Sequence, residues 1–185
     1  MRCFVAADLD TAWCKRVIDV RAAVTSADEA WAGEKWVDAS SIHITLAFFA
    51  DLAPQPLEVL ARGLSALATY RVGPLENPQL MAIPDGNRAR MLWMTFDESQ
   101  QLRSVYRQVR TLSRGCVVDD HPFKPHVTLV RARRTVHLSP AAYQAGLDAA
   151  RLLGAVSVPS VSLYRSILGS GSPRYERLAR QMLDS

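Results

Sequence analysis

The chain has 185 residues, of which 49% are hydrophobic and 22% charged, so its composition supports a sizeable core and excludes wholesale disorder. We find neither an apolar run of the ~20 residues that span a membrane nor a secretory signal. The three cysteines lack CxxC spacing, which favours reduced thiols. We therefore expect a cytoplasmic protein. The net charge of +4 is compatible with a polyanionic partner without establishing one.

The first half of the chain is predicted to alternate strands and helices. Alternating apolar residues indicate strands, apolar residues three or four apart indicate helices, and clusters of Pro, Gly, Asn and Asp mark turns. In chain order, these patterns predict a strand over 1–9, a helix over 11–24 capped by Asp10 and Thr11, a turn and strand over 35–52, a helix over 57–70, a strand or loop over 77–84, and a turn over 84–87.

The second half repeats that order. Its predicted elements are a strand over 89–96, a helix over 98–115, a strand over 121–133, a helix over 139–154, and strands over 156–168 and 173–183, the last with a helix as the alternative. The repeated order indicates a divergent internal duplication. We therefore predict an α+β fold in which residues 1–185 form one domain of two lobes, each with an antiparallel sheet and flanking helices, facing each other across a cleft.

Two of the four histidines open the same short pattern, His-x-Thr-Leu, in the two corresponding strands. The first copy places Thr45 two residues after His43, and the second places Thr128 two residues after His126. Residues i and i+2 of a strand point to the same face, so each copy presents one imidazole and one hydroxyl while its apolar residues point toward a core. If the lobes face each other, two imidazoles and two hydroxyls converge.

Such a set of groups suits the cleavage of a phosphodiester. One histidine removes a proton from the attacking water while the other donates a proton to the leaving oxygen, and threonine hydroxyls donate hydrogen bonds to the non-bridging oxygens. Arg131, five residues after His126, is the candidate to hold the phosphate, and Phe48 stands at the same offset from His43. In a regular strand both would face away, so they reach the cleft only if each strand ends or bulges after the motif.

Other interpretations of the histidines are weaker. A single His-x-Thr in a strand is most often ordinary sheet, but two copies in matching positions favour a functional role. Two histidines without a nearby cysteine or an HExxH motif fall short of the three or four ligands of a zinc site, and a serine nucleophile is not indicated because GxSxG is missing from the sequence. His121, in a proline-framed turn, and His137, before a helix cap, are interpreted as structural or solvent-facing.

The flanks of the two motifs resemble one known family over nearly the whole chain. The resemblance lies in the segments KWVDASSIHITLAFFADL, KPHVTLVRAR and VSLYRSILGSGSPRYERLA. They are similar to the 2H phosphoesterase superfamily, and in particular to its bacterial and archaeal RNA 2′,3′-cyclic phosphodiesterases, also labelled 2′-5′ RNA ligases. The resemblance implies a bilobal α+β fold with pseudo-twofold symmetry. It also implies hydrolysis of RNA or nucleotide 2′,3′-cyclic phosphate ends to 2′-phosphates, with no metal and no nucleotide cofactor. We further expect a monomer without a membrane partner.

The same resemblance implies a role for each polar site residue. His43 would be the general acid that protonates the departing 3′ oxygen. His126 would be the general base that activates water. Thr45 and Thr128 would bind the phosphate, assisted by Arg131.

The resemblance also implies that Phe48 stacks on the terminal base or lines the pocket, as aromatic side chains do for unstacked RNA ends. One position departs from the family. Many relatives carry an arginine directly after the first His-x-Thr-Leu, where this chain has Ala47, which implies a weaker grip on the RNA backbone there. The candidates to compensate for it are Arg88, Arg90, Arg133 and Arg134.

Two other functions stay open at this point. ATP-independent 2′-5′ joining of RNA ends would use the same acid and base in the reverse direction, so the sequence does not separate it from hydrolysis. A non-catalytic RNA-end-binding module would not need an imidazole from each lobe, which argues against that function.

Overall fold

Strands and helices follow one another in the predicted order. The computed structural model describes residues 1–84, 86–118, 122–169 and 173–184. Its strands are β1 (Cys3–Asp8), β2 (Lys35–Trp36), β3 (His43–Phe49), β4 (Gln79–Ile83), β5 (Arg88–Thr95), β6 (His126–His137), β7 (Ser160–Ile167) and β8 (Arg174–Met182). Its α-helices are α1 (Thr11–Arg16), α2 (Ile18–Ala27), α3 (Pro54–Gly63), α4 (Gln100–Leu112) and α5 (Pro140–Leu153). The last segment is a strand, so the alternative of a helix there is wrong.

These strands pair in one antiparallel sheet. Its order is β4-β5-β6-β3-β1-β7-β8, with β2 also paired to β6. The two His-x-Thr-Leu strands, β3 and β6, meet in the middle through the pair formed by Ile44 and Val127. The sheet therefore has two halves, β1-β3-β7-β8 and β2-β4-β5-β6, joined between the motifs. This arrangement confirms the antiparallel α+β class, while the division into two lobes stays a prediction.

The two halves of the sheet do not correspond to the two halves of the chain. β7 and β8, from the end of the chain, complete the half that contains β1 and β3. Helix α2, from the first half of the chain, packs against α5 from the second, and α4 contacts β3. These pairings join segments that are distant in sequence, so the order of the elements did not predict them.

A glycine allows α5 to approach α2 and β4 closely. A Cβ atom on Gly146 would lie 2.6 Å from Cγ2 of Val24 and 2.9 Å from Cδ2 of Leu80, closer than the ~3.5–4.0 Å of carbon–carbon contact. The β-branched Val24 has one strongly preferred rotamer in a helix, so its side chain cannot easily change rotamer to make room for a Cβ atom. Gly146 therefore sets the spacing between the helix layer and the half of the sheet that carries β6.

Capping residues set the helix ends. Asp10 accepts a hydrogen bond from the backbone N–H of Trp13 at 2.8 Å, and Ser139 caps α5 in the same way, as side-chain N-caps do. The predicted helix over 11–24 is divided into α1 and α2 at Val17. Residue 85 of the predicted turn lies outside the described residues. Across the described ranges, none of the helices is long and apolar enough to cross a bilayer.

Core packing holds the two motif strands from behind. Ile44 and Val127, the residues after each histidine, are fully buried, and Leu46 and Leu129 are 3% and 2% exposed. The prediction that the apolar positions of each motif face the core is confirmed. The polar positions are therefore presented on the opposite side of the sheet.

Candidate active site

The residues predicted for the site line one cleft at the junction of β3 and β6. The cleft has a volume of about 550 Å³, within the range of small-molecule sites. From the two motif strands it is lined by His43, Thr45, Phe48, His126, Thr128 and Arg131. Arg2, Phe4 and Tyr175 extend its walls. The fold thus brings the predicted residues together, and their individual roles stay predictions.

A β-bulge follows each motif and returns the fifth residue to the cleft. Leu46 is an extra residue in the pairing of β3 with β1, and Leu129 is an extra residue in the pairing of β6 with β5. In each strand the leucine and the next residue are both buried, which breaks the strict alternation of faces. Phe48 and Arg131 consequently line the cleft. The bulge on which the prediction for these two residues depended is present in both strands.

Both imidazoles are held by the same kind of backbone contact. Nδ1 of His43 lies 2.7 Å from the carbonyl oxygen of Ser41, and Nδ1 of His126 lies 2.8 Å from that of Lys124. A carbonyl oxygen only accepts, so Nδ1 of each ring carries a proton and donates it. Nε2 is then the atom that gains or loses a proton. The hydroxyl of Thr45 lies 3.2 Å from Nε2 of His43 and donates to it when the ring is neutral.

Aromatic rings pack against both imidazoles. His126 is stacked on Trp93, with ring centroids 3.7 Å apart and planes inclined by 15°. His43 is stacked on Phe4 at 4.7 Å and meets Tyr175 edge-on at 5.6 Å. These contacts fix the plane of each ring. Sequence reasoning assigned no role to the three aromatic residues, because they come from β1, β5 and β8 and no local pattern reveals how those strands pair.

Burial makes both histidines harder to protonate. It lowers the pKa of His43 to about 4 and lowers the pKa of His126 as well, because a positive charge loses solvation in the cleft. The backbone hydrogen bonds from Nδ1 oppose this lowering of the pKa, and the like charge of Arg131 adds to it. Both rings are therefore neutral near pH 7 in the unliganded protein, with Nε2 able to accept a proton.

A hydrogen-bonded carboxylate opposes the effect of burial on His43. Asp8 pairs with His43 across β1 and β3. Its side chain accepts hydrogen bonds of 2.6 Å from Ser160 and Ser162 and of 2.7 Å from Tyr164, which fix the carboxylate in place. Its negative charge raises the pKa of His43. Asp8 is thus positioned to support protonation of that ring, and sequence reasoning did not identify it.

We expect His43 to titrate with a pKa near 4 in the unliganded protein. Inorganic phosphate should raise that pKa because a nearby anion favours the positive ring, and Asp8→Asn should lower it because a negative charge is removed. Asp19→Asn, at an exposed position on α2, is the control and should leave it unchanged. NMR titration of labelled histidine measures each value. A pKa at or above the ordinary ~6.5 in the unliganded wild type would contradict the prediction.

Arg131 brings a positive charge to the cleft. Its guanidinium lies 3.0 Å from Sδ of Met91 and 3.5 Å from Oγ1 of Thr128, and within the described part of the chain it forms no ion pair with a carboxylate. A guanidinium with only weak acceptors beside it is able to form bidentate hydrogen bonds with a phosphate. The guanidinium of Arg2 lies 4.5 Å from the centroid of the Phe48 ring and adds a second cation to the cleft.

The other sequence candidates that the structure describes do not line the cleft. His137 is exposed, and His121 lies outside the described residues. Ala47 is buried, and the four arginines named as candidates to compensate for it are exposed and do not line the cleft: Arg88, Arg90, Arg133 and Arg134. Among the residues that the structure describes, no three His, Cys, Asp or Glu side chains gather where they could hold a metal ion.

Comparisons with known proteins agree on one family. A model of the 2′-5′ RNA ligase superfamily matches residues 12–167. A Geobacillus stearothermophilus protein named RNA 2′,3′-cyclic phosphodiesterase is 32% identical over 148 residues, which cover 78% of this chain and 46% of that relative. An Escherichia coli K12 protein of the same name is 28% identical over 156 residues, which cover 80% of this chain and 78% of that relative. The chain thus matches less than half the length of the first relative and most of the second.

Solved structures share the fold over the whole chain. Escherichia coli LigT complexed with 3′-AMP aligns with a TM-score of 0.74 at 24% identity, covering 100% of this chain and 98% of LigT. A Thermus thermophilus protein aligns with a TM-score of 0.75 at 22% identity, covering 99% of this chain and 98% of its own. These likenesses confirm the fold class.

Proposed function

The chain belongs to the 2′-5′ RNA ligase superfamily, and from that membership we propose that it hydrolyses 2′,3′-cyclic phosphate ends of RNA or nucleotides to 2′-phosphates. One observation carries the proposal. Two imidazoles lie in one cleft beside two threonine hydroxyls and an arginine. In both rings Nδ1 is bound to a backbone carbonyl, so Nε2 is the atom available for proton transfer. An acid, a base, hydroxyl donors and a cation are the groups that phosphodiester cleavage uses. The matched relatives named RNA 2′,3′-cyclic phosphodiesterase support the same reaction.

In the proposed mechanism the two histidines act on opposite sides of the phosphorus. Nε2 of His126 takes a proton from water as the water oxygen bonds to phosphorus. Nε2 of His43 donates a proton to the 3′ oxygen as the bond between phosphorus and that oxygen breaks. The products are a 3′-hydroxyl and a 2′-phosphate. Proton exchange with solvent then returns His126 to its neutral form, and His43 takes up a proton when the next substrate binds.

Substrate binding promotes the protonation that this mechanism requires of His43. The pKa of His43 is about 4 in the unliganded protein, which is low for an acid acting near pH 7. A bound phosphate anion raises that pKa by charge attraction, and Asp8 acts in the same direction. The ring therefore gains its proton when a substrate phosphate is bound, and that proton is then available to the departing 3′ oxygen.

Phosphate and base are held by the remaining residues of the cleft. Thr45 and Thr128 donate hydrogen bonds to the non-bridging oxygens, and Arg131 pairs with their negative charge. Phe48, whose ring contacts Arg2, packs against the terminal base, since unstacked RNA ends are commonly held by aromatic side chains. The partner is thus an RNA end or a small cyclic nucleotide.

We also propose that the protein acts as a monomer in the cytoplasm without a metal ion. The proposed mechanism assigns every role to residues that one chain brings together in the cleft, so the chemistry does not require a second copy. All three cysteines are free thiols, which fits a reducing compartment.

The test is an assay of an RNA oligomer ending in a 2′,3′-cyclic phosphate, with EDTA present and with chromatography that resolves 2′- from 3′-phosphate products. We expect conversion to the 2′-phosphate, undiminished by the chelator. Absence of turnover, or a 3′-phosphate product, would contradict the proposal. Tight binding without turnover would favour an RNA-end-binding module, and joined products from tRNA halves would favour end joining.

A further inference from the structure

A second, smaller pocket opens beside the cleft. It has a volume of about 170 Å³ and shares Thr45, Phe48 and His126 with the cleft. That volume is below the ~300–1,000 Å³ of pockets that hold whole small-molecule ligands, so the second pocket has room for part of a ligand. Because Thr45 and His126 line both spaces, a molecule whose phosphate lies between the histidines can extend into it.

A stacked pair of aromatic rings lines this second pocket. Tyr106 of α4 and Phe123, from the segment before β6, are stacked with centroids 4.0 Å apart and planes inclined by 5°. The guanidinium of Arg103 lies 6.0 Å from the centroid of the Phe123 ring. Because these contacts order the rings before any ligand arrives, little binding energy is lost in ordering them.

The chemistry of the second pocket suits a base attached to a negatively charged backbone. Phe48, Tyr106 and Phe123 supply flat apolar surface on its walls. Arg110 and Lys124 also line it, and its described lining residues include no carboxylate. The proposed mechanism assigns no role to the stacked pair or to these two cationic side chains, so the pocket is not explained by the chemistry at the phosphorus.

We propose that the second pocket binds the nucleobase on the 5′ side of the terminal nucleotide, so that RNA of two or more nucleotides is preferred to cyclic mononucleotides. The inference rests on the proposed function and names its substrate class. The terminal nucleoside occupies the larger cleft, its cyclic phosphate lies between His43 and His126, and the strand continues past Thr45 into the second pocket. Stacking on aromatic side chains holds single strands with little regard to base identity, so the preference is for length.

The test compares a substrate that reaches the second pocket with one that does not. We expect wild-type kcat/KM to be higher for the dinucleotide ApA 2′,3′-cyclic phosphate than for adenosine 2′,3′-cyclic phosphate. Phe123→Ala should lower kcat/KM for the dinucleotide by about 5- to 150-fold, as the loss of one stacked base does, and leave the mononucleotide unaffected. Phe123→Trp keeps an aromatic face and should retain the preference. Tyr143→Ala, at an exposed ring on α5, is the matched control.

Two results would overturn the inference: no wild-type preference for the dinucleotide, or an equal loss on both substrates in Phe123→Ala. If the wild type hydrolyses neither substrate, the proposed function fails, and calorimetry with the two 2′-phosphate products decides the second pocket separately. Tighter binding of the dinucleotide product that Phe123→Ala abolishes and Phe123→Trp keeps would support the pocket, and equal affinities would overturn it. Circular dichroism checks folding, and Tyr106→Leu replaces Phe123→Ala if that variant does not fold.

Discussion

We expect alanine at either His43 or His126 to lower kcat on a cyclic-phosphate RNA end by about 10²- to 10⁴-fold, the usual contribution of a positioned acid or base. In each ring Nδ1 is bound to a backbone carbonyl, so in the proposed mechanism only Nε2 transfers a proton and neither histidine can take over the other's step. KM should change less than kcat, because the proposed mechanism assigns phosphate binding to the threonine hydroxyls and Arg131. Steady-state kinetics in EDTA measures both constants.

The histidine variants have a matched control on the same strand. His137 ends β6 and is exposed, so His137→Ala should keep wild-type kinetics. The double variant of His43 and His126 should be about as inactive as either single variant, because groups that act as a unit lose their effect together. If either single variant, shown by thermal unfolding to be folded, turns over like the wild type, the two-histidine mechanism is wrong.

A change of leaving group separates the acid from the base. A phosphodiester that releases nitrophenolate needs no proton on its leaving oxygen near neutral pH. If His43 is the acid, His43→Ala should recover most of its activity on that substrate, while His126→Ala should stay inactive because water still has to lose a proton. The opposite pattern would exchange the two roles.

The parts of the site that were predictable from sequence have local causes. His43 and Thr45 face the same way because a strand repeats every two residues, and the same holds for the second motif. Those geometric predictions needed no knowledge of what pairs with each strand. The prediction that Phe48 and Arg131 face the cleft required a bulge after each motif. A bulge is defined by the pairing with the neighbouring strand, which the local sequence does not give.

What sequence reasoning missed depends on contacts between distant segments. Phe4 and Trp93 reach the imidazoles from other strands, and Asp8 is held by three hydroxyl side chains, two of which belong to Ser160 and Ser162 at the start of β7. Strand order and register depend on packing of the whole core, which a period of two does not encode. The crossing of α2 and α5 between the two halves of the chain has the same origin.

The threonines of the two motifs should differ in what they contribute. In the unliganded protein Thr45 donates to Nε2 of His43 at 3.2 Å. A protonated Nε2 no longer accepts that hydrogen bond, so in the proposed mechanism the hydroxyl turns toward the phosphate. Thr128 accepts a hydrogen bond from Arg131 at 3.5 Å, so its hydroxyl also orients the guanidinium. In the proposed mechanism, loss of Thr128 therefore affects two groups assigned to the phosphate, whereas loss of Thr45 affects one such group and the orientation of His43.

We expect Thr45→Val and Thr128→Val each to lower kcat by about 10²- to 10³-fold, as removal of one hydrogen-bond donor to a developing negative charge does. Valine keeps the shape of threonine and removes only the hydroxyl, while the serine variants keep the hydroxyl and should retain most of the activity. Thr128→Val should also raise KM, because Arg131 loses its contact. Thr135→Val, at an exposed position on β6, is the control. Steady-state kinetics on the cyclic-phosphate oligomer decides the matter: valine variants as active as the serine variants would show that neither hydroxyl stabilises the transition state.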